Sequence, residues 1–149
     1  LPFVVVVVVP YWLLQVRATD INGFAATWLF RFVGVIAGVI GLVLFIWCVA
    51  LFAKIGRGTL APWDPTRNLV AIGPYRFVRN PMISSVALLL IGAALLWSSW
   101  PIGIWAGVFI LVNHTYFVLF EEPGLEQRFG EPYRVYKSSV PRWIPRLRP

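Results

Sequence analysis

The chain has 149 residues, of which 59% are hydrophobic and only 13% are charged, and its formal net charge is +7. A water-soluble surface cannot be built from so few charged residues, so the composition excludes an ordinary soluble domain and indicates an integral membrane protein. The basic residues are separated by long uncharged runs instead of forming a stripe, which argues against nucleic acid as a partner.

The first apolar stretch, Leu1 to Val16, is rich in valine. No basic leader precedes the valines and no clean small-residue cleavage site follows them, which argues against a signal peptide. We expect this stretch to be the remainder of a longer first membrane helix.

The next apolar run, Phe32 to Ala53, contains no charge over 22 residues. Because a helix needs about 20 residues to cross the hydrocarbon core of a bilayer, this run predicts a transmembrane helix. Gly34, Gly38 and Gly41 are spaced for a close contact between helices and form a candidate homo-oligomer contact. Cys48 has no second cysteine to pair with, so we interpret it as a structural residue.

A longer charge-free run, Met82 to Phe120, spans 39 residues, which is too long for one crossing and suits two. We predict that the chain folds back at Trp100-Pro101-Ile102-Gly103, since proline cannot continue a helix and since tryptophans favour the membrane–water interface. The tryptophans are Trp97, Trp100 and Trp105. The predicted fold class is therefore all-α, with about four transmembrane helices and a C-terminal helical hairpin.

Basic residues are concentrated in two segments. Five lie between Lys54 and Pro81, and six more follow Phe120. With four spans both segments fall on one side of the membrane, and the positive-inside rule makes that side cytoplasmic. We expect one domain over residues 1–149, with N-terminal spans in 1–53 and a cofactor-binding loop, hairpin and tail in 54–149, in a bacterial inner membrane.

The tail is polar, but its apolar residues recur at helical spacing: Leu125, Phe129, Tyr133, Tyr136 and Val140. This pattern predicts amphipathic helices at the membrane surface. Pro132 suits the first turn of the second of these helices, where its missing N–H is not needed.

Two polar clusters flank the predicted hairpin, and the hairpin would bring them together. One is GPYRFVRNPM, from Gly73 to Met82, and the other runs from His114 past Glu121 and Glu122. On an ideal helix His114 and Glu121 share a face. The alternatives are that His114 is a hydrogen-bonded packing residue and that the glutamates pair with Arg128 or a loop arginine.

Other catalytic patterns are missing from the sequence. It contains no GxxxxGK or HExxH pattern, and one histidine with no ligand pair at suitable spacing gives no basis for a metal site. Ser84 and Ser85 lie in no nucleophile-elbow sequence.

At the two clusters the chain resembles the isoprenylcysteine carboxyl methyltransferase and phospholipid methyltransferase superfamily, in particular its small bacterial members. The matching text is Ala61 to Pro65, GPYRFVRNPM, and EEPGLEQRFGEPYRVYKSSVPRWIP from Glu121 to Pro145. The resemblance implies S-adenosylmethionine as cofactor, membrane lipids as surroundings, and an acceptor that is a lipid or a lipophilic small molecule. The acceptor would undergo carboxylate O-methylation or amine N-methylation.

Carried over by position, the resemblance implies a set of cofactor-binding residues: Gly73, Tyr75, Arg76, Arg79, Asn80, Pro81, Met82, Ile83 and Glu122. We predict that Glu122 binds the ribose or amino group of the cofactor and that Arg76 or Arg79 meets its carboxylate. If the acceptor is an amine, Glu121 or His114 would accept its proton and count as catalytic. The chain departs from the family pattern at Asn80, which replaces the histidine of many members, and at Ile83 and Ser85, which replace the usual tyrosine and glycine. Val118 stands where eukaryotic members have an arginine.

Two other functions are compatible with parts of this sequence. Membrane sterol reductases, which use NADPH, are similar around Arg79 to Pro81, but here Met82-Ile83-Ser84-Ser85 follows instead of an asparagine-tyrosine pair. A non-catalytic lipid-binding protein would use the charged clusters only to anchor its helices.

Overall fold

All regular structure in the part of the chain that the structure describes is helical. The computed structural model describes residues 3–15, 28–56 and 69–145. A π-helical turn, Val4–Val8, leads into α1 (Val9–Gln15), and a second one, Phe52–Gly56, follows α2 (Trp28–Leu51). A 3-10 turn, Gly73–Arg76, precedes the remaining helices, which are α3 (Pro81–Leu96), α4 (Trp100–Tyr116), α5 (Glu122–Phe129) and α6 (Glu131–Ser139). The all-α prediction is confirmed over these ranges.

Two of the described helices are long and apolar enough to cross a membrane. Trp28–Ile55 has 28 residues and a mean hydropathy of 2.9, and Trp100–Phe129 has 30 residues and a mean hydropathy of 1.7. The first contains the predicted span from Phe32 to Ala53. The helices Val4–Gln15 and Pro81–Leu96 are apolar but shorter. Four crossings and the hairpin therefore stay predictions.

The break between α3 and α4 does not lie where we predicted it. Trp100-Pro101-Ile102-Gly103 is the first turn of α4, and the break is Trp97-Ser98-Ser99. Ser98 has a φ of 48°, and the amide of Ser99 donates to the carbonyl of Ala94, which together cap the end of α3. Proline does not mark the turn because the first turn of a helix tolerates it as well.

The chain divides into two compact units, 1–43 with 85–112 and 44–84 with 113–149. In the first unit, glycines bring the backbones of α2 and α3 together. A Cβ atom added to Gly34 would lie 2.8 Å from the nitrogen of Leu96, and one added to Gly41 would lie 2.8 Å from the oxygen of Ser85. Two of the glycines predicted to form a homo-oligomer contact thus have an intramolecular partner. The oligomer contact itself stays a prediction.

The N-terminal helix of the first unit is fixed by a hydrogen bond to α4. The indole nitrogen of Trp105 donates to the carbonyl of Val5 at 3.1 Å. In the π-helical turn the amide of Val9 bonds to the carbonyl of Val4, so the next donor in this winding would be Pro10, which has no N–H. Trp105 therefore supplies the donor that proline lacks, and its position at a membrane interface stays a prediction.

The second unit has a small apolar core. Cys48, Val70 and Tyr75 are buried together, and Leu51, Phe52, Ile55 and Met82 pack around them. This position confirms the interpretation of Cys48 as a structural residue. The turn before the site needs glycine, since Gly73 has a φ of +60° and a Cβ atom there would lie 2.8 Å from a methyl carbon of Leu51. The Ala61 to Pro65 motif lies outside the described residues.

The tail of the second unit forms the two short helices that its pattern predicts. Gly130, with a φ of +59°, separates α5 from α6, and Pro132 lies in the first turn of α6. Tyr133 is the innermost residue of α6, with 1% of its surface exposed. The location of these helices at a membrane surface stays a prediction.

Candidate active site

The centre of the candidate site is a buried carboxylate at the start of α5. Glu122 is 3% exposed and follows a π-helical turn, Phe117–Glu121. Its Oε1 atom accepts hydrogen bonds from Nη1 of Arg79 and from Nε of Arg142, both at 2.8 Å. Its Oε2 atom accepts a hydrogen bond from Nη2 of Arg142 at 3.1 Å and lies 3.4 Å from Nζ of Lys137. One carboxylate is thus held by three cations from two distant parts of the chain.

The segment after α6 closes this cluster through three consecutive residues. The carbonyl of Pro141 accepts a hydrogen bond from the amide of Arg79 at 2.9 Å. Arg142 bonds to Glu122, and the indole nitrogen of Trp143 donates to Nδ1 of His114 at 2.9 Å. The tail therefore contacts both polar clusters identified in the sequence.

The α6 helix adds a further link to the first cluster, together with one buried phenol, Tyr133, and one half-buried phenol, Tyr136. The hydroxyl of Tyr136 donates to the carbonyl of Tyr75 at 2.6 Å. Burial raises the pKa of Tyr133 and of Tyr136 above the ordinary value of a phenol. Both tyrosines are therefore neutral at physiological pH and can act as hydrogen-bond donors.

Several polar atoms at this place are buried and unpaired. They are Nε of Arg79, Nδ2 of Asn80 and Oη of Tyr133, and the Tyr133 hydroxyl lies near the charges of Arg79 and Glu122. Buried donors are paired in most folded proteins, since leaving one unpaired costs about 1–3 kcal/mol. Such atoms at a site rich in positive charge are suited to an acceptor group that the protein does not itself supply.

The structure brings some of the predicted cofactor residues together and separates others. Arg79 and Glu122 are in direct contact, and Asn80 follows Arg79 as a buried residue. Tyr75 and Met82 belong to the core around Cys48. Of the remaining members, Gly73 forms the turn and Pro81, which is buried, begins α3, while Ile83 is half-buried and Arg76 is exposed.

The two candidate proton acceptors, Glu121 and His114, have different surroundings. Glu121 is exposed, while its neighbour Glu122 is buried. We predicted that His114 and Glu121 share a face of an ideal α-helix. The turn that ends at Glu121, Phe117–Glu121, is π-helical instead and holds more residues than an α-helical turn, so the two side chains do not keep that spacing. Nδ1 of His114 accepts the bond from Trp143, as expected for the packing alternative.

Sequence reasoning missed the tail side of the cluster. Lys137 and Arg142 were counted only as positive-inside residues, and Tyr133 and Tyr136 only as the apolar face of a surface helix. The signal that could have found Arg142 is the motif VPRWIP, residues 140–145, which resembles the family. Its one basic residue lies among apolar residues, which suggests a specific partner within the protein.

The two long apolar helices suggest a membrane protein, and the ion cluster at Glu122 gives it a buried polar site. A family model described as phospholipid methyltransferase matches residues 29–132, more than half of the chain. The protein belongs to this family, which is part of the isoprenylcysteine and phospholipid methyltransferase superfamily, and membership implies methyltransferase activity on membrane substrates.

A second comparison matches a shorter part of the chain. The chain is 48% identical over 42 residues to an uncharacterized protein of Haemophilus influenzae, a match that covers 27% of this chain and 67% of that protein. No solved structure is significantly similar to the chain. The family match ends at residue 132, so Tyr133, Lys137 and Arg142 lie beyond it.

Proposed function

We propose that the protein transfers a methyl group from S-adenosylmethionine to a lipophilic acceptor, and that the cofactor binds at the cluster around Glu122. The observation that carries this proposal is that Arg79, which pairs with that carboxylate, its neighbour Asn80, and Tyr133 each have a buried polar atom without a partner. A ligand with a carboxylate would supply the missing acceptors.

The charges at the site support the same ligand. Three cations surround the single carboxylate of Glu122, namely Arg79, Arg142 and Lys137. Lys137 also contacts Glu126. The excess of positive charge favours the carboxylate of the cofactor's amino-acid end, while Glu122 offers the acceptor that an amino group or a ribose hydroxyl needs. The residues present therefore fit the cofactor.

Bound S-adenosylmethionine supplies a methyl group carried on a positively charged sulfur. An in-line displacement at such a group requires alignment and the exclusion of water more than acid–base catalysis. The cluster can provide alignment, because its charged side chains are fixed to one another by hydrogen bonds. Burial of Glu122 and Tyr133 limits the access of water to the same place.

For an amine acceptor, a residue must also take up a proton. Nδ1 of His114 accepts a bond from Trp143, so in the neutral imidazole the proton resides on Nε2 and neither nitrogen is free to accept another. We therefore propose Glu121, which is exposed, as the proton acceptor. For a carboxylate acceptor no base is needed, and the site suits either class of lipophilic acceptor.

We place the site on the cytoplasmic side, in keeping with the distribution of basic residues.

The first test measures binding of S-adenosylhomocysteine by calorimetry in detergent. Glu122→Gln should weaken binding by about tenfold or more, since a charged acceptor is lost. Glu131→Gln is the matched control, because Glu131 is exposed and reaches only Arg134, at 3.6 Å. Equal affinity of the wild type and Glu122→Gln would refute this position for the cofactor.

A second variant separates binding from folding. Asn80→Leu removes a buried donor that has no partner, so the melting temperature should stay the same or rise, while the affinity for S-adenosylhomocysteine falls.

Incubating the purified protein with methyl-labelled cofactor and host membrane lipids, followed by mass analysis, then identifies the acceptor. Stabilisation by NADPH but not by S-adenosylhomocysteine would indicate a reductase, and stabilisation by neither would indicate a lipid-binding protein.

A further inference from the structure

We infer that Arg142 is a positioning residue, which fixes the Glu122 carboxylate in the orientation that the cofactor requires. The inference rests on the proposed function, and it concerns a residue that lies beyond the part of the chain matched by the family model. Its basis is the geometry of the Arg142 guanidinium and of the residues on either side of it.

The bond between Arg142 and Glu122 fixes the plane of the carboxylate. Nε of Arg142 donates to Oε1 at 2.8 Å and Nη2 donates to Oε2 at 3.1 Å, so both oxygens are held by one planar group. Such paired bonds define an orientation, whereas a lysine acts as a point charge. Arg79 adds a bond to Oε1 only.

The backbone on either side holds Arg142 in place. Before it, the carbonyl of Pro141 accepts a bond from the amide of Arg79, and after it, Trp143 bonds to His114. Val140, next to Pro141, is buried. The arginine is thus fixed at both ends before a ligand arrives, and this preorganisation reduces the entropy that binding must otherwise overcome.

Lys137 provides an internal comparison. It reaches the same carboxylate, but at 3.4 Å, and its side chain is 39% exposed against 27% for Arg142. If charge alone mattered, removing either cation would have a similar effect on binding. If orientation matters, the loss should be much larger at Arg142.

The experiment compares Arg142→Gln, Arg142→Lys and Lys137→Gln, with S-adenosylhomocysteine as the probe and calorimetry on the full chain in detergent. We expect Arg142→Gln to weaken binding by about tenfold or more, and Lys137→Gln by about threefold or less. Arg142→Lys should recover only part of the loss, because it restores the charge and not the paired bonds. Equal losses at both positions, or full recovery in Arg142→Lys, would overturn the inference.

A double variant tests whether Arg142 acts through Glu122. If it does, Arg142→Gln combined with Glu122→Gln should bind no more weakly than Glu122→Gln alone. A merely structural role would multiply the two losses and would lower the melting temperature of each variant in proportion to its loss of affinity, and that result would overturn the inference. Failure of the wild type to bind the probe would instead refute the proposed function, so the two failures are distinguishable.

Discussion

Replacing Trp105 with phenylalanine should destabilise the protein by removing the hydrogen bond that its indole donates to the carbonyl of Val5. The indole nitrogen lies 3.1 Å from that oxygen, and Pro10 cannot replace it. A carbonyl left unpaired in an apolar environment costs about 1–3 kcal/mol. For a chain of this size each kcal/mol lowers the melting temperature by about 2–4 °C. Thermal denaturation in detergent micelles, followed by circular dichroism, measures the shift.

A second substitution makes the argument specific to this carbonyl. Pro10→Ala restores a backbone N–H at residue 10, which can pair within the helix, so that Val5 no longer depends on the indole. On the Pro10→Ala background, Trp105→Phe should therefore lower the melting temperature much less than it does in the wild type. An equal decrease on both backgrounds, or no decrease in the wild type, would refute the account of the π-helical turn.

Three other predictions concern the stability of the fold. Gly92→Ala should lower the melting temperature, because the added Cβ atom would lie 2.8 Å from the oxygen of Gly34, whereas Gly107→Ala, which would meet nothing within 4 Å, should not. Ser98→Gly should stabilise the protein by about 1 kcal/mol in chemical denaturation, because its φ of 48° is costly for a residue with a side chain, and an unchanged midpoint would contradict this. Because burial raises the pKa of Tyr136, the folded state holds that proton more tightly than the unfolded state, where a phenol titrates at about pH 10. The stabilisation that the protonated phenol contributes is complete below pH 10 and decreases above it. Above pH 10 the melting temperature should therefore decrease less steeply with rising pH in Tyr136→Phe than in the wild type.

Much of the fold follows from the sequence because membrane helices are defined by length without charge. The span from Phe32 to Ala53 and the two short tail helices lie where the patterns predict them. The contact of Arg79 with Glu122 follows the expectation that the two polar clusters meet. The helices depend on local composition and on spacing along the chain, whereas the meeting of the two clusters was expected from the predicted hairpin.

Features that depend on backbone winding or on distant partners were not predictable in this way. Proline fits the start of a helix as well as its end, so Pro101 did not locate the break. A π-helical turn has no reliable composition, so the opposite surroundings of Glu121 and Glu122 could not be inferred from their adjacency. Arg142 resembles any other basic residue of the tail until its partner is known.

The burial of Glu122 has a consequence for how the protein responds to ionic strength. Dissolved ions screen exposed pairs such as Arg134 with Glu126, whose side chains are 62% and 34% exposed, but they have little access to a carboxylate side chain that is 4% exposed. Adding salt should loosen the outer surface of α6 and leave the arginine pairing at Glu122 in place. The affinity of the site for the proposed ligand would then change little between dilute buffer and concentrated salt.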